Sequence, residues 1–152
     1  MAEQTEGQQA GRDAAEMPVP GPDAPVSEVM AADPIRVDEK LTLRALAAVL
    51  ASADVGAVLV ERPDGTVGVV SERDIVRALA DDADPDLIWS ADVMTEDVVR
   101  SRPDEPVLVA AARMLDHRIR HLVIVDEGDR VVGVVTARDL LRTLAQDLLD
   151  RL

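Results

Sequence analysis

The sequence contains no cysteine, no phenylalanine and no tyrosine, and only one tryptophan, Trp89. Without cysteine there is no disulfide, no thiolate metal site and no cysteine nucleophile. Without aromatics the core has to be aliphatic, and the stacking platforms of single-stranded nucleic-acid binders are missing. Positive charge is scarce as well: 16 Lys and Arg against 30 Asp and Glu leave a net charge of −14. Such a surface repels a phosphate backbone, so nucleic acid is not an expected partner. No apolar run approaches the roughly 18 residues of a membrane span. The start, MAEQTEGQQAGRDAAEM, has neither the basic nor the apolar region of a secretion signal. These absences lead to the expectation of a cytoplasmic protein with no membrane partner.

What is present is an aliphatic, globular composition, 47% hydrophobic over 152 residues. That length allows one domain, or two small ones sharing a core. Residues 1–25 are rich in Gln, Glu, Gly, Ala and Pro and end in PVPGPDAP. They hold too little apolar surface to offset the entropy of ordering, so a disordered N-terminal tail is expected. From Val26 onward the sequence doubles. GVVSERDIV (68–76) recurs as GVVTARDLL (133–141), and SEVMAADPIRVDEKL (27–41) aligns with ADVMTEDVVRSRPDEPV (91–107). The chain divides into a tail (1–25), a first repeat (26–80), a linker (81–90), a second repeat (91–145) and a helical extension (146–152).

Each repeat has the same grammar. A Val-Met turn leads into a brief extended piece, at 35–37 and 98–100, and then a helix, at about 41–52 and 106–117. Val107, Ala110, Ala111 and Met114 share one helical face. LRALAAVLA of the first repeat is apolar nearly all round, which asks for cover on every side. Two strands follow, AVLVE and TVGVV across RPDG, then HLVIVD and RVVGVV across EGD. A last helix is opened by Ser71 or Thr136. The expected class is α/β (α+β), with β-α-β-β-α occurring twice. One unit buries too little surface to be secure alone, and two packed copies solve that problem.

GVVSERD and GVVTARD admit two readings. In the first they are helix-start grammar: Ser71 with Asp74, and Thr136 with Asp139, are capping boxes. The second adds chemistry. A strand ending at a helix N-terminus offers free N–H groups and a positive dipole end to an anion. Gly68 and Gly133 would clear space for a ligand on the strand, and Asp74 and Asp139 would accept both hydroxyls of a ribose.

The doubled Val29-Met30 and Val93-Met94, the IRHLVIVD before the turn, and the doubled GVVSERD and GVVTARD resemble a tandem CBS-domain pair, or Bateman module, over about residues 26–145. The resemblance implies a stand-alone module of two repeats packed as a pseudo-two-fold pair. It implies adenosine-containing ligands (AMP, ADP, ATP or S-adenosylmethionine) in two clefts between the repeats, with no cofactor required. Asp74 and Asp139 would then hold ribose, beside Ser71 and Thr136. Cations reaching phosphate would come from the residues before the middle strand: Arg120 and His121 in the second repeat, against Val55 and Gly56 in the first. Hence the first cleft, Asp74 facing Arg120 and His121, is expected to take the phosphate-bearing ligand. Both repeats lack the family's proline in that strand. The resemblance also implies a disc-like homodimer signalling to a protein partner.

Other features have plainer readings. Arg113, His117, Arg118, Arg120 and His121 make a basic island, of which the first three read as a solvated helix face. Trp89 is expected to pack the linker, and Met30 and Met94 to fill irregular gaps. Asp81, Asp82, Asp84 and Asp86 lack the spacing of a calcium loop. The final helix carries a stripe of Leu141, Leu144, Leu148 and Leu152 that suits a partner or second subunit. There is no P-loop, HExxH or nucleophile elbow, and no catalytic or metal residue is nominated. The alternative to ligand sensing is a ligand-free dimerisation platform.

Overall fold

Alternate residues of a strand face opposite ways, yet Val58, Leu59 and Val60 are all buried, as are Leu122, Val123, Ile124 and Val125. Strands apolar on both faces need a packed layer on each side, and that requirement sets the architecture. The computed structural model describes residues 20–152; the rest of the expected tail lies outside the described residues. The first half runs β1 (Arg36–Asp38), α1 (Leu43–Ala53), β2 (Ala57–Glu61), β3 (Val67–Ser71) and α2 (Glu72–Ala80). The second runs α3 (Ser90–Val93), β4 (Arg100–Ser101), α4 (Val107–His117), β5 (His121–Val125), β6 (Val131–Thr136) and α5 (Ala137–Asp150). This is the doubled β-α-β-β-α order, with the extended pieces one or two residues later than expected.

Each half is a three-stranded sheet, ordered β1-β2-β3 and β4-β5-β6. In each, the first strand is parallel to the middle one and the last antiparallel to it. Helices cover one face. Leu43, Leu46, Leu50 and Ile75 pack on Val58, Val60 and Val70, while Val107, Ala110, Met114 and Leu140 pack on Leu122, Ile124 and Val135. The opposite faces meet each other through Leu59, Val123 and Val125, ringed by Val67, Val69, Val131 and Val134.

The halves also exchange their lead-in segments. Val26, at the head of the first repeat, is fully buried in the core of the second, with Val107, Ala110 and Leu122. Its N–H donates to the Glu105 carbonyl at 2.9 Å. Reciprocally, Val93 and Met94 of the second repeat pack on the core of the first. Ala31 bridges Val134 of β6, and Thr95 bridges Val69 of β3. Residues 20–25, which composition assigns to the tail, are held as well. The carbonyls of Ala24 and Pro22 accept from the first N–H groups of α4, those of Val107 (2.9 Å) and Leu108 (3.0 Å). Helix-start donors have no partner within the helix, so α4 recruits this segment as its cap.

The exchange depends on two glycines. A Cβ at Gly133 would lie 2.5 Å from Met30 Sδ and 2.9 Å from the Ala31 carbonyl oxygen. At Gly68 it would lie 2.8 Å from Met94 Sδ and 3.0 Å from the Thr95 oxygen. The methionines fill gaps, as their flexibility suits them to do. Gly133→Ala should therefore cost about 1–3 kcal/mol by overpacking, read as a lower urea midpoint. Gly128→Ala, whose Cβ would come no nearer than 3.4 Å to its neighbours, should change little. Equal stability of the two variants would contradict the packing.

Candidate functional site

The candidate residues gather where β2, β5 and the starts of α2 and α5 meet. Asp74 Oδ2 accepts from the N–H of Ser71 at 2.7 Å and from its hydroxyl at 2.8 Å. Asp139 Oδ2 accepts from the N–H and hydroxyl of Thr136 at 2.9 and 2.7 Å, and the Asp139 N–H donates back to that hydroxyl at 3.2 Å. Both capping boxes are formed. In each, one carboxylate oxygen makes the cap. The other, Oδ1, has no hydrogen-bond partner among the described residues. Both aspartates are half-buried at the positive ends of their helices. Capping and ligand binding therefore draw on different atoms of the same side chain.

Gly68 and Gly133 do a different job from the one expected. The space that they leave is occupied by Met94 and Met30, so it is not open to a ligand. A second correction concerns the alignment of the cations. Ala57 pairs with Ser71, and His121 with Thr136. The carbonyls of Gly56 and Arg120 accept from the equivalent helix-start donors, Glu72 N–H at 3.0 Å and Ala137 N–H at 2.8 Å. Arg120 and His121 therefore correspond to Gly56 and Ala57, one residue later than the Val55 and Gly56 of the sequence alignment. Repeat drift inside the short loop had hidden the shift. The asymmetry survives, because neither first-half residue carries charge.

His121 turns into the junction of the halves. A Cβ on Gly56 would lie 3.0 Å from its Nε2 and 3.7 Å from Glu72 Oε2, so glycine makes room for the imidazole. Burial, assisted by the Arg120 charge, lowers the His121 pKa below its ordinary value; Glu72, Asp139 and Asp74 oppose the shift. Both site aspartates thus lie within electrostatic reach of one imidazole, and His121 does not belong to the first cleft alone. The basic island of the sequence is dispersed in space. Arg113 turns to Glu105, His117, Arg118 and Arg120 are exposed, and the Arg118 carbonyl accepts from Arg73 at 3.2 Å. That last bond ties α2 to the end of α4 across the halves. Nothing in the sequence pattern marks it.

Trp89 is 46% exposed; its backbone bridges Thr42, the cap residue of α1. In the acidic linker Asp86 pairs with Arg44 at 2.6 Å. No cluster of metal-ligating side chains occurs among the described residues, and no described helix is long and apolar enough to cross a membrane.

The profile of the CBS domain matches residues 26–81 and 90–146. The chain belongs to the CBS-domain family. An uncharacterized protein of Methanocaldococcus jannaschii is 32% identical over 124 residues, 81% of this chain and 44% of that one. An uncharacterized protein of Methanopyrus kandleri is 34% identical over 86 residues, 56% of this chain and 44% of the relative. The chain thus spans less than half the length of these curated relatives. Relatives named as enzymes share still less: an inosine-5'-monophosphate dehydrogenase of M. jannaschii matches over 16% of its length, at 36% identity. Among solved structures, a CBS domain protein of Pyrobaculum aerophilum complexed with AMP has a TM-score of 0.72 at 34% identity, covering 83% of this chain and 96% of that one. The CBS domain pair of protein MJ0100, in complex with 5'-methylthioadenosine and S-adenosylmethionine, has a TM-score of 0.71 at 27% identity, covering 80% and 95%.

The His121 shift has a definite sign. The folded state disfavours the proton, so this contribution to stability is full above about pH 6.5 and is lost as pH falls through the lower folded value. The urea midpoint should drop between about pH 7.5 and pH 5, and drop less in His121→Gln. Identical slopes for the two proteins would contradict the placement of the ring.

Proposed function

We propose that this CBS pair is a non-catalytic regulatory module, acting in the cytoplasm, that binds an adenosine-containing ligand between its halves. Asp74 and Asp139 receive ribose hydroxyls on their unengaged Oδ1 atoms, with Ser71 and Thr136 beside them. Arg120, and His121 once protonated, meet phosphate. The unengaged carboxylate oxygen at the mouth of each last helix carries this reading, because a cap alone uses only the other one. The AMP-bound and S-adenosylmethionine-bound relatives support the ligand class. Because His121 reaches both aspartates, Arg120 is the cation that distinguishes the clefts: AMP, ADP or ATP is the expected occupant of the Asp74 cleft, and the other cleft stays empty or takes a neutral nucleoside.

Ligand acts by favouring one arrangement of the two halves over another, which requires different affinity for the two. The arrangement passes to a second copy of the chain or to a protein partner through the helices. Leu141, Leu148 and Leu149 of α5 are 67%, 62% and 62% exposed, and this stripe also favours the second reading, a ligand-free dimerisation platform.

Thermal denaturation with AMP, ADP, ATP and S-adenosylmethionine separates the two. A ligand at a hundred times its Kd adds about 2.7 kcal/mol, which at this chain length raises Tm by roughly 5–10 °C. Asp74→Asn keeps an acceptor for the cap but loses the charge, and should abolish the shift while folding normally. Arg120→Ala should weaken AMP more than adenosine. No shift with any of the four ligands would leave the platform reading standing.

A further inference from the structure

The two halves are an internal control for each other: where one fold position is apolar in the first half and charged in the second, the fold does not require the charge. Such a place lies at the outer end of β4. By register Arg36 pairs with Leu59 as Arg100 pairs with Val123, and α1 and α4 begin at equivalent residues, Leu43 and Val107. Val37, Leu41 and Val49 therefore correspond to Ser101, Glu105 and Arg113. The three apolar residues pack against the first half's core. Their counterparts form a polar chain instead: the Ser101 hydroxyl and Arg113 Nη2 both donate to the Glu105 carboxylate.

This chain is poorly solvated. Ser101 is 5% exposed and the Glu105 side chain 12%. Arg113 Nε is buried without a hydrogen-bond partner, a donor whose desolvation nothing in the protein offsets. Apolar residues would be the more stable choice for a half-buried ion pair, and the first half shows that they fit.

Beside the chain opens a depression of about 290 Å³ lined by Arg100, Arg102 and Arg113 together with Glu105 and Asp129. Arg102 is held at its rim by the Asp126 carbonyl and, at 3.4 Å, by Asp129. Arg100 has no side-chain hydrogen bond or ion pair among the described residues. Three arginines thus line one hollow in a chain of net charge −14, with Glu105 already engaged by Ser101 and Arg113 and Asp129 exposed. Val125, also in the wall, stands at the far end of β5 from His121, roughly 13 Å along the strand. The hollow is therefore not part of the inter-half clefts.

We propose that Arg100, Arg102 and Arg113 form an oxyanion site that takes a phosphate-sized dianion, free or as a phosphomonoester. Guanidinium forks match the oxygens of such an anion bidentately. Arg100 supplies the unpaired charge, Arg102 turns from its loop carbonyl, and Arg113 contributes the edge that Glu105 leaves free. The assignment is independent of ligand binding at Asp74 and Asp139.

The test is a titration of the full chain with inorganic phosphate at constant ionic strength, followed by 15N-resolved NMR. Saturable shifts are expected at the amides of Arg100, Ser101, Arg102 and Asp129 and at the Arg113 Nε–H, with a midpoint in the low millimolar range. Arg100→Gln should weaken binding at least tenfold with Tm unchanged, since no partner is lost; Arg102→Gln should weaken it less. Linear shifts, or shifts equal in Arg100→Gln, would overturn the site and leave a structural ion pair. Shifts confined to residues 71–74, 120–121 and 136–139 would also overturn it, and would place the anion in the nucleoside clefts.

Discussion

The contact of Met30 with Gly133, and of Met94 with Gly68, ties each half's lead-in segment to the other half's last strand. Around these contacts Val26 is buried in the core of the second half, and Ile88, Val93 and Met94 pack against that of the first. Neither half contains all of its own core. That reciprocity explains how units of about sixty residues, too small to bury enough surface separately, reach stability together. It also fixes where β3 and β6 end, and so where Ser71 and Thr136 deliver their helices. The geometry of the candidate clefts follows from packing, not from the polar residues in them.

Electrostatics then works within that frame. The chain is strongly acidic, and its carboxylates repel one another except where they are engaged. Asp74 and Asp139 each use one oxygen on their own helix start, which leaves acceptor capacity in half-buried positions. The cations nominated for an anionic ligand, Arg120 and His121, come from the second half. Burial disfavours the charged imidazole at the junction, and an arriving phosphate would oppose that preference. The module has two similar acids and an unequal distribution of charge between them.

Much of this was legible in the sequence, because duplication is a strong signal. A word such as GVV(S/T)xRD written twice identified both capping boxes, and the strands AVLVE and HLVIV appeared at their expected places. Four things were not legible. The sequence reads Gly68 and Gly133 as room for a ligand, since it cannot say that Met94 and Met30, each in the other half's lead-in segment, fill the space. The equivalence of Arg120 and His121 slipped by one residue, because alignment has no purchase in a loop where only pairing register decides. The islanding of Arg113 with His121 reflected adjacency in sequence; a helix and a strand turn them to opposite ends of the half. The docking of residues 20–25 was hidden for a related reason, as their contribution is backbone carbonyls that composition does not reveal.

If each half completes the core of the other, they cannot melt separately. Scanning calorimetry of the ligand-free chain, at a concentration where its oligomeric state is constant, addresses this directly. A single transition with calorimetric and van't Hoff enthalpies in a ratio near one is expected. Two resolved transitions, or a calorimetric enthalpy well above the van't Hoff value, would show halves that stand alone and would contradict the account.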